Sequence, residues 1–382
     1  MLHSRIATSR LRRLAALLVL LVVTVGCPHR SPVWSPDGKR ILLLGGAGED
    51  IDKAASKLWL VDVGSGKAKR LDPPAPGSRF LAATWIDDAS FLVFTASWEG
   101  DSAGAGTEKI WRSAGEPGDW KELKGPAPSA ERLPRRLPVV MGDAKARAVV
   151  YPSDSYLVVA VSIADGKKLL ALDPADLVGP GPRNGFIFTR PEPENTGNIE
   201  IVAMGGDLKE VWRRKYSDVQ EGIAKKLGAK ALDISFNDTS TSQVGASGDW
   251  VGLTLVFSDI AWKEGISGYH ARLDAKTGEV LAAASGVGLS GMPGSTADSL
   301  WAVLAPDSKT GAPVRLQLFD AKTGAPGKSA ALDKVPKEAV QGYAFDPAAR
   351  SFALALGGTG APALRIYEPG KLDSPRIIEL VP

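Results

Sequence analysis

The run Val33-Trp34-Ser35-Pro36-Asp37-Gly38-Lys39-Arg40-Ile41-Leu42-Leu43-Leu44-Gly45 carries a complete hairpin signal. Trp34 ends one strand, Pro36 to Gly38 make a tight turn, and Ile41 to Leu44 begin the next strand. Proline presets φ early in such a turn, and glycine tolerates the positive φ needed at its end. The arrangement returns in weaker form as Thr84-Trp85-Ile86-Asp87-Asp88 before Phe91 to Thr95, and as Tyr343-Ala344-Phe345-Asp346-Pro347 before Phe352 to Leu356.

A second hairpin also repeats. Leu60-Val61-Asp62 precedes Gly64-Ser65-Gly66-Lys67, Arg272-Leu273-Asp274 precedes Lys276-Thr277-Gly278-Glu279, and Leu318-Phe319-Asp320 precedes Lys322-Thr323-Gly324. Each places an aspartate at a strand end, where its short side chain bonds the turn backbone, and a glycine within the turn. The two hairpins supply four strands in a unit of roughly 40 to 55 residues, the period of a propeller blade. The predicted fold is therefore an all-β propeller of seven four-stranded blades, near 31–73, 80–126, 135–174, 183–216, 232–286, 288–333 and 339–381. The third and fourth blades lack the first hairpin signature, and 174–185 reads as a Gly- and Pro-rich link. Val219, Ile223, Ala224 and Leu227 fall at helical spacing, which predicts a short helix over 217–230 between blades four and five.

At Trp34-Ser35-Pro36-Asp37-Gly38-Lys39 the chain resembles TolB-type and other WD-like propellers, and at Asp274-Ala275-Lys276-Thr277-Gly278-Glu279 it resembles quinoprotein-type propellers. The resemblance covers about half the chain in short pieces. It implies the fold; such propellers include binding scaffolds, periplasmic assembly factors and enzymes, so it does not imply a partner.

The amino terminus reads differently from the rest. Arg5, Arg10, Arg12 and Arg13 precede the twelve-residue apolar run Leu14 to Val25, with no acid before residue 27. That run is shorter than the ~18 residues of a spanning candidate and matches the apolar region of a secretory signal. Thr24-Val25-Gly26-Cys27 resembles the lipobox of bacterial lipoproteins, and Cys27 is the only cysteine in the chain. The resemblance implies a signal peptide over 1–26, lipidation of Cys27, a tether over 27–32 and one propeller domain over 33–382. Thr24 stands where the lipobox prefers leucine. A chain with one thiol forms no internal disulfide and no multi-cysteine zinc site.

Removing the leader leaves 42 basic against 43 acidic residues. A balance so close to neutral gives no general attraction to nucleic acid, and Arg132, Arg135 and Arg136 lie in a Pro-rich connection without interleaved aromatics. There is no complete phosphate loop, and the clusters Gly45-Gly46-Ala47-Gly48 and Gly357-Gly358-Thr359-Gly360 lack the third glycine of a dinucleotide fingerprint. The histidines beyond the leader are His29 and His270, so a Ser-His-Asp triad would rest on His270, which reads instead as a structural strand residue. Glu49, Asp50 and Asp52, and the turn pair Asp87 and Asp88, lack calcium-loop spacing. No catalytic residue, metal site or cofactor is assigned.

Of ten tryptophans, Trp34, Trp59, Trp85, Trp111 and Trp301 fall in predicted strands, where a large ring fills the gap between blades. Trp98 and Trp262 adjoin polar loop residues and are the candidate partner-binding residues. Trp98 lies in a polar insert, 97–108, matched by another at 45–56. The expectation is a lipid-anchored module of the cell envelope, at the periplasmic side or the outer membrane, binding an envelope protein or a ligand. The alternative is a propeller hydrolase or lactonase with acidic residues at the central channel; small or apolar residues lining that channel would count against it.

Overall fold

The structure, a computed structural model, describes residues 32–380 apart from 46–54, 98–106, 114–118, 134–135, 155, 231–237, 246, 257–267, 287–299, 307–312, 321–324, 332–339, 347–350, 357–362 and 369–370. The first sheet is a meander of β1 (Val33–Trp34), β2 (Arg40–Leu44), β3 (Leu58–Asp62) and β4 (Ala68–Leu71). β5 (Ser78–Trp85), β6 (Phe91–Ser97), β7 (Thr107–Ser113) and β8 (Trp120–Leu123) form the second. The third contains β9 (Val139–Met141), β10 (Ala148–Asp154), β11 (Leu157–Ser162) and β12 (Lys168–Leu172). β13 (Asp176–Gly181), β14 (Gly185–Glu192), β15 (Asn195–Met204) and β16 (Glu210–Lys215) make the fourth, followed by helix α1 (Tyr216–Leu227). The fifth comprises β17 (Asp238–Val244), β18 (Trp250–Val256), β19 (Gly268–Asp274) and β20 (Val280–Gly286). β21 (Leu300–Pro306), β22 (Pro313–Asp320) and β23 (Pro326–Ala331) form a three-stranded sheet, and β24 (Val340–Phe345), β25 (Phe352–Leu356), β26 (Ala363–Glu368) and β27 (Lys371–Glu379) the last. Every pairing within these sheets is antiparallel.

The propeller is therefore as expected, and its blade count is corrected. The described residues form six four-stranded blades, not seven; the expected blade over 288–333 is a three-stranded sheet. Residues 287–299, where that blade was expected to begin, lie outside the described residues. The fourth blade also starts earlier than expected. The stretch read as a link contains β13, the blade's innermost strand. An innermost strand pairs on one side only, so Pro180 forfeits no bond of a two-sided ladder. Arg183 and Asn184 both take φ 53° and Gly185 N donates to Pro182 O at 3.0 Å, a type I′ hairpin turn lacking the usual Asn-Gly signature.

Alternation along the strands explains how the sheets pack. In β2, Ile41 and Leu43 face the last sheet while Leu42 and Leu44 face the second. In β6, Phe91 and Val93 face the first sheet while Leu92, Phe94 and Ala96 face the third. β10 and β14 divide likewise, with Val149 and Tyr151 turned to the second sheet, Ala148 and Val150 to the fourth, and Ile187 to the fifth. A strand buried on both faces reads as a continuous apolar run, which is why Ile41 to Leu44 show no polar alternation. The outer strands β4, β8 and β12 are mostly exposed and carry Lys69, Arg70, Lys121, Glu122 and Lys168, charges that discourage pairing with a further strand.

The ring closes between the first and last sheets by packing, without strand exchange. Trp34, Ile41, Leu43, Trp59 and Val61 lie against Ala344, Ala353, Leu364, Ile366 and Ile378. Trp34 Nε1 donates to Ala344 O at 3.2 Å, and the Arg376 guanidinium donates to the carbonyls of Val63 and Gly64. Between the first and second blades the same bond recurs, from Trp85 Nε1 to Val33 O at 2.8 Å. α1 runs where expected, buries Val219, Ile223 and Ala224 between blades four and five, and ends at Gly228 in the left-handed region.

Closure by one indole makes a test. Trp34→Ala removes a buried ring and its bond across the seam, and should lower the free energy of urea unfolding by about 3–5 kcal/mol. A loss below about 1 kcal/mol would show that the seam does not depend on Trp34.

Candidate functional site: the wall of the axial channel

The inner strands of the first four blades line a partly open cavity of about 500 Å³. β1 contributes Val33 and Trp34, β5 contributes Ala83, Thr84 and Trp85, and β13 contributes Val178, Gly179 and Pro180. Leu137 and Pro138 lead into β9, which adds Val139 and Val140. Pro36 and Asn184 belong to the turns that carry the chain from the first to the second strand of their blades, so the cavity lies toward that end of the channel. Among the described residues no lining side chain is ionisable, and Thr84 and Asn184 supply polar groups to it.

The wall is also poor in hydrogen-bond donors. Pro36, Pro138 and Pro180 have no backbone N–H. The indole N–H groups of Trp34 and Trp85 already serve the blade contacts, on Ala344 O and Val33 O. Pro180 O accepts from Ser242 Oγ at 2.7 Å. Arg40 lies over the Trp85 ring at 5.0 Å, which places a cation beside that ring already.

The turns behind this wall are held by the side chains that their sequence suggests. Ser35 Oγ donates to Asp37 Oδ1 at 2.7 Å and accepts from Arg40 N, while Asp37 also accepts from Lys39 N. The Ser35 hydroxyl, aided by Lys39, holds the Asp37 carboxyl below its ordinary pKa. Asp62 and Asp274 cap their turns in the same way, on Ser65 and on the backbone N–H groups of Lys276 and Thr277.

Asp87 is a turn residue too. Burial acts to raise its pKa, but bonds from Ala89 and Ser90, with Arg147 at 3.0 Å, outweigh it and leave the value lowered. The Asp87–Arg147 pair links blades two and three. Arg132 and Arg136 converge on Asp176 Oδ2 at 2.8 and 2.6 Å, a link from the connection before blade three to the first strand of blade four. These are joints between blades, a role the sequence did not indicate for them.

His270 lies in β19 as expected and is fully buried, with Nδ1 3.2 Å from Thr254 Oγ1. Burial pushes its pKa down to about 4. Arg272, two residues on, places its guanidinium 3.6 Å from the centre of the Trp250 ring. Trp34, Trp59 and Trp85 are buried as expected, and Trp212 and Trp250 are as well. Cys27, Trp98, Trp262 and the acids Glu49, Asp50 and Asp52 lie outside the described residues. Among the described residues no three His, Cys, Asp or Glu side chains group as a metal centre, and no helix is long and apolar enough to cross a membrane.

The class these features define is a β-propeller whose axial cavity is lined, among the described residues, by uncharged side chains. No protein-family model matches the chain, and no curated protein matches it. Solved structures share its fold. The Dos1 propeller superposes with a TM-score of 0.50 at 11% identity, covering 90% of this chain and 92% of its own. Hydrazine synthase of Kuenenia stuttgartiensis gives a TM-score of 0.53 at 11% identity over 91% and 98%. A chain of a mitotic checkpoint complex gives 0.51 at 8% identity over 87% and 89%. Likeness at these identities establishes the propeller architecture and carries no function with it.

The buried histidine has a pH signature. Its folded pKa is depressed below the unfolded value of about 6.5, so above that pH it contributes nothing, and as pH falls the unfolded state takes up the proton first. Between pH 6.5 and 5 this should remove about 2 kcal/mol of stability, measured by urea unfolding. His270→Gln should flatten that slope; an unchanged slope would mean that His270 is not its source.

Proposed function

We propose that this chain is a lipid-anchored propeller of the bacterial cell envelope, of the TolB-type and WD-like kind, which acts as a binding or assembly module. The observation that carries the binding role is the uncharged cavity of about 500 Å³ on the channel wall. Its volume falls in the range of small-molecule sites, and it is built from strands fixed on both sides by neighbouring blades. A site on rigid strands is preorganised, so little ordering cost opposes binding.

The tether rests on the leader Leu14 to Val25 and on the lipobox resemblance at Cys27. An acylated Cys27 holds the ring at the periplasmic side or on the outer membrane, within reach of envelope proteins and their ligands. Stable anchoring needs more than one acyl chain, because a single chain binds only marginally. The rival reading is a hydrolase or lactonase working through acids at the channel; among the described residues the cavity lining includes no carboxylate.

Cys27→Ser should move the protein from the membrane fraction to the soluble envelope fraction, and the wild-type amino-terminal peptide should begin at a lipidated Cys27 by mass spectrometry. A Cys27→Ser protein that stays with the membranes would overturn the tether.

A further inference from the structure

We propose that the axial cavity takes an uncharged, predominantly apolar small molecule and discriminates against anions of the same shape. This rests on the reading of the cavity as the binding site and names the class of ligand it accepts. The argument is one of missing partners. A charged ligand moved out of water needs an opposite charge or several hydrogen bonds in return. Among the described residues the wall supplies no ionisable side chain. Three prolines remove backbone donors from it, and both indole N–H groups are engaged between blades.

An anion would find no cationic side chain in the described lining, and only the Thr84 hydroxyl and the Asn184 amide as side-chain donors not already engaged between blades. A cation would find no carboxylate in the lining, and Arg40 already lies over one of the two aromatic rings. A neutral apolar body meets none of these penalties. It exchanges water for contact with Val33, Ala83, Val139, Val140 and Val178, and Thr84 and Asn184 leave room for one or two polar atoms.

The test uses two fluorescent probes with the same aromatic skeleton, neutral N-phenyl-1-naphthylamine and anionic 8-anilinonaphthalene-1-sulfonate. Both are titrated into the chain from residue 28 onward, which contains both sides of the ring closure, made without leader or lipid so that no detergent competes. Val140 is half-buried in the wall, so Val140→Phe, which fills the cavity, and Val140→Asp, which charges it, are titrated alongside.

The expected result is one-site binding of the neutral probe, at least tenfold tighter than the sulfonate, and weakened at least tenfold in both variants with unchanged circular dichroism. If the sulfonate binds as tightly as the neutral probe and both respond to the Val140 variants, the cavity is a binding site and the ligand class is wrong. If the neutral probe binds but is indifferent to the variants, or if neither probe binds, the cavity reading and the proposal fail together. The comparison of probes on the unmodified chain stands even if a variant does not fold.

Discussion

A four-stranded sheet whose two faces are both apolar has no stable existence alone, and this constraint governs the molecule. Each blade must lie between two others, so the first and last have to meet. Where a propeller shares strands across its seam, backbone hydrogen bonds close the ring; here each of the two meeting sheets is built from one continuous piece of chain. Closure falls to side chains, and the indole of Trp34 on Ala344 O is the seam's counterpart of the Trp85 bond to Val33 O between ordinary neighbours. One residue type at equivalent places in two inner strands thus serves both the seam and an internal joint.

The same arrangement shapes the channel wall. Innermost strands pair on one side and face the axis on the other, so they accept prolines and glycines that a central strand would reject. Pro180 and Gly179 in β13 exploit this. Such residues remove donors and bulk at the axis, and the tryptophans direct their N–H groups sideways into the blade contacts. An apolar, donor-poor cavity follows from what inner strands tolerate and from how these blades are joined.

The parts of the fold legible in the sequence are those set by local chemistry. Pro36 to Gly38, Asp62 and Asp274 announce their turns because the same side chains that mark the sequence make the bonds in the structure. The helix was readable from Val219, Ile223 and Ala224, whose spacing is their burial. β13 was not, because its two glycines and its proline argue for a link unless the strand is known to be an edge. Nor was the turn at Arg183 and Asn184, where tertiary context holds two ordinary residues at positive φ. The cavity was beyond reach for a different reason: Trp34, Ala83, Val139 and Val178 belong to four blades, and nothing local says that they converge. Trp34 and Trp85, read as spacers between blades, do fill those gaps and also border the cavity.

The blades are alike in backbone and unlike in what they bury. Blade five turns Val251, Leu253, Leu255, Ala271 and Leu273 toward blade four, while its other face carries Thr254, His270 and Arg272 in the interior. Arg272 is held there over Trp250, and Gly252 stands opposite it in the ladder without a side chain to obstruct it. His270 is neutral at neutral pH because burial disfavours its charge. Polar groups of this kind specify which neighbour a face accepts, since a mispaired apolar blade would leave them unsatisfied. A propeller of near-identical apolar blades has many ways to assemble out of order; a ring whose interfaces carry different polar contacts, such as Asp87–Arg147, Arg136–Asp176 and the buried face of blade five, has fewer. The propeller architecture is shared at 8–11% identity, because the alternation that builds a blade asks for apolar character of about the right size and not for particular side chains.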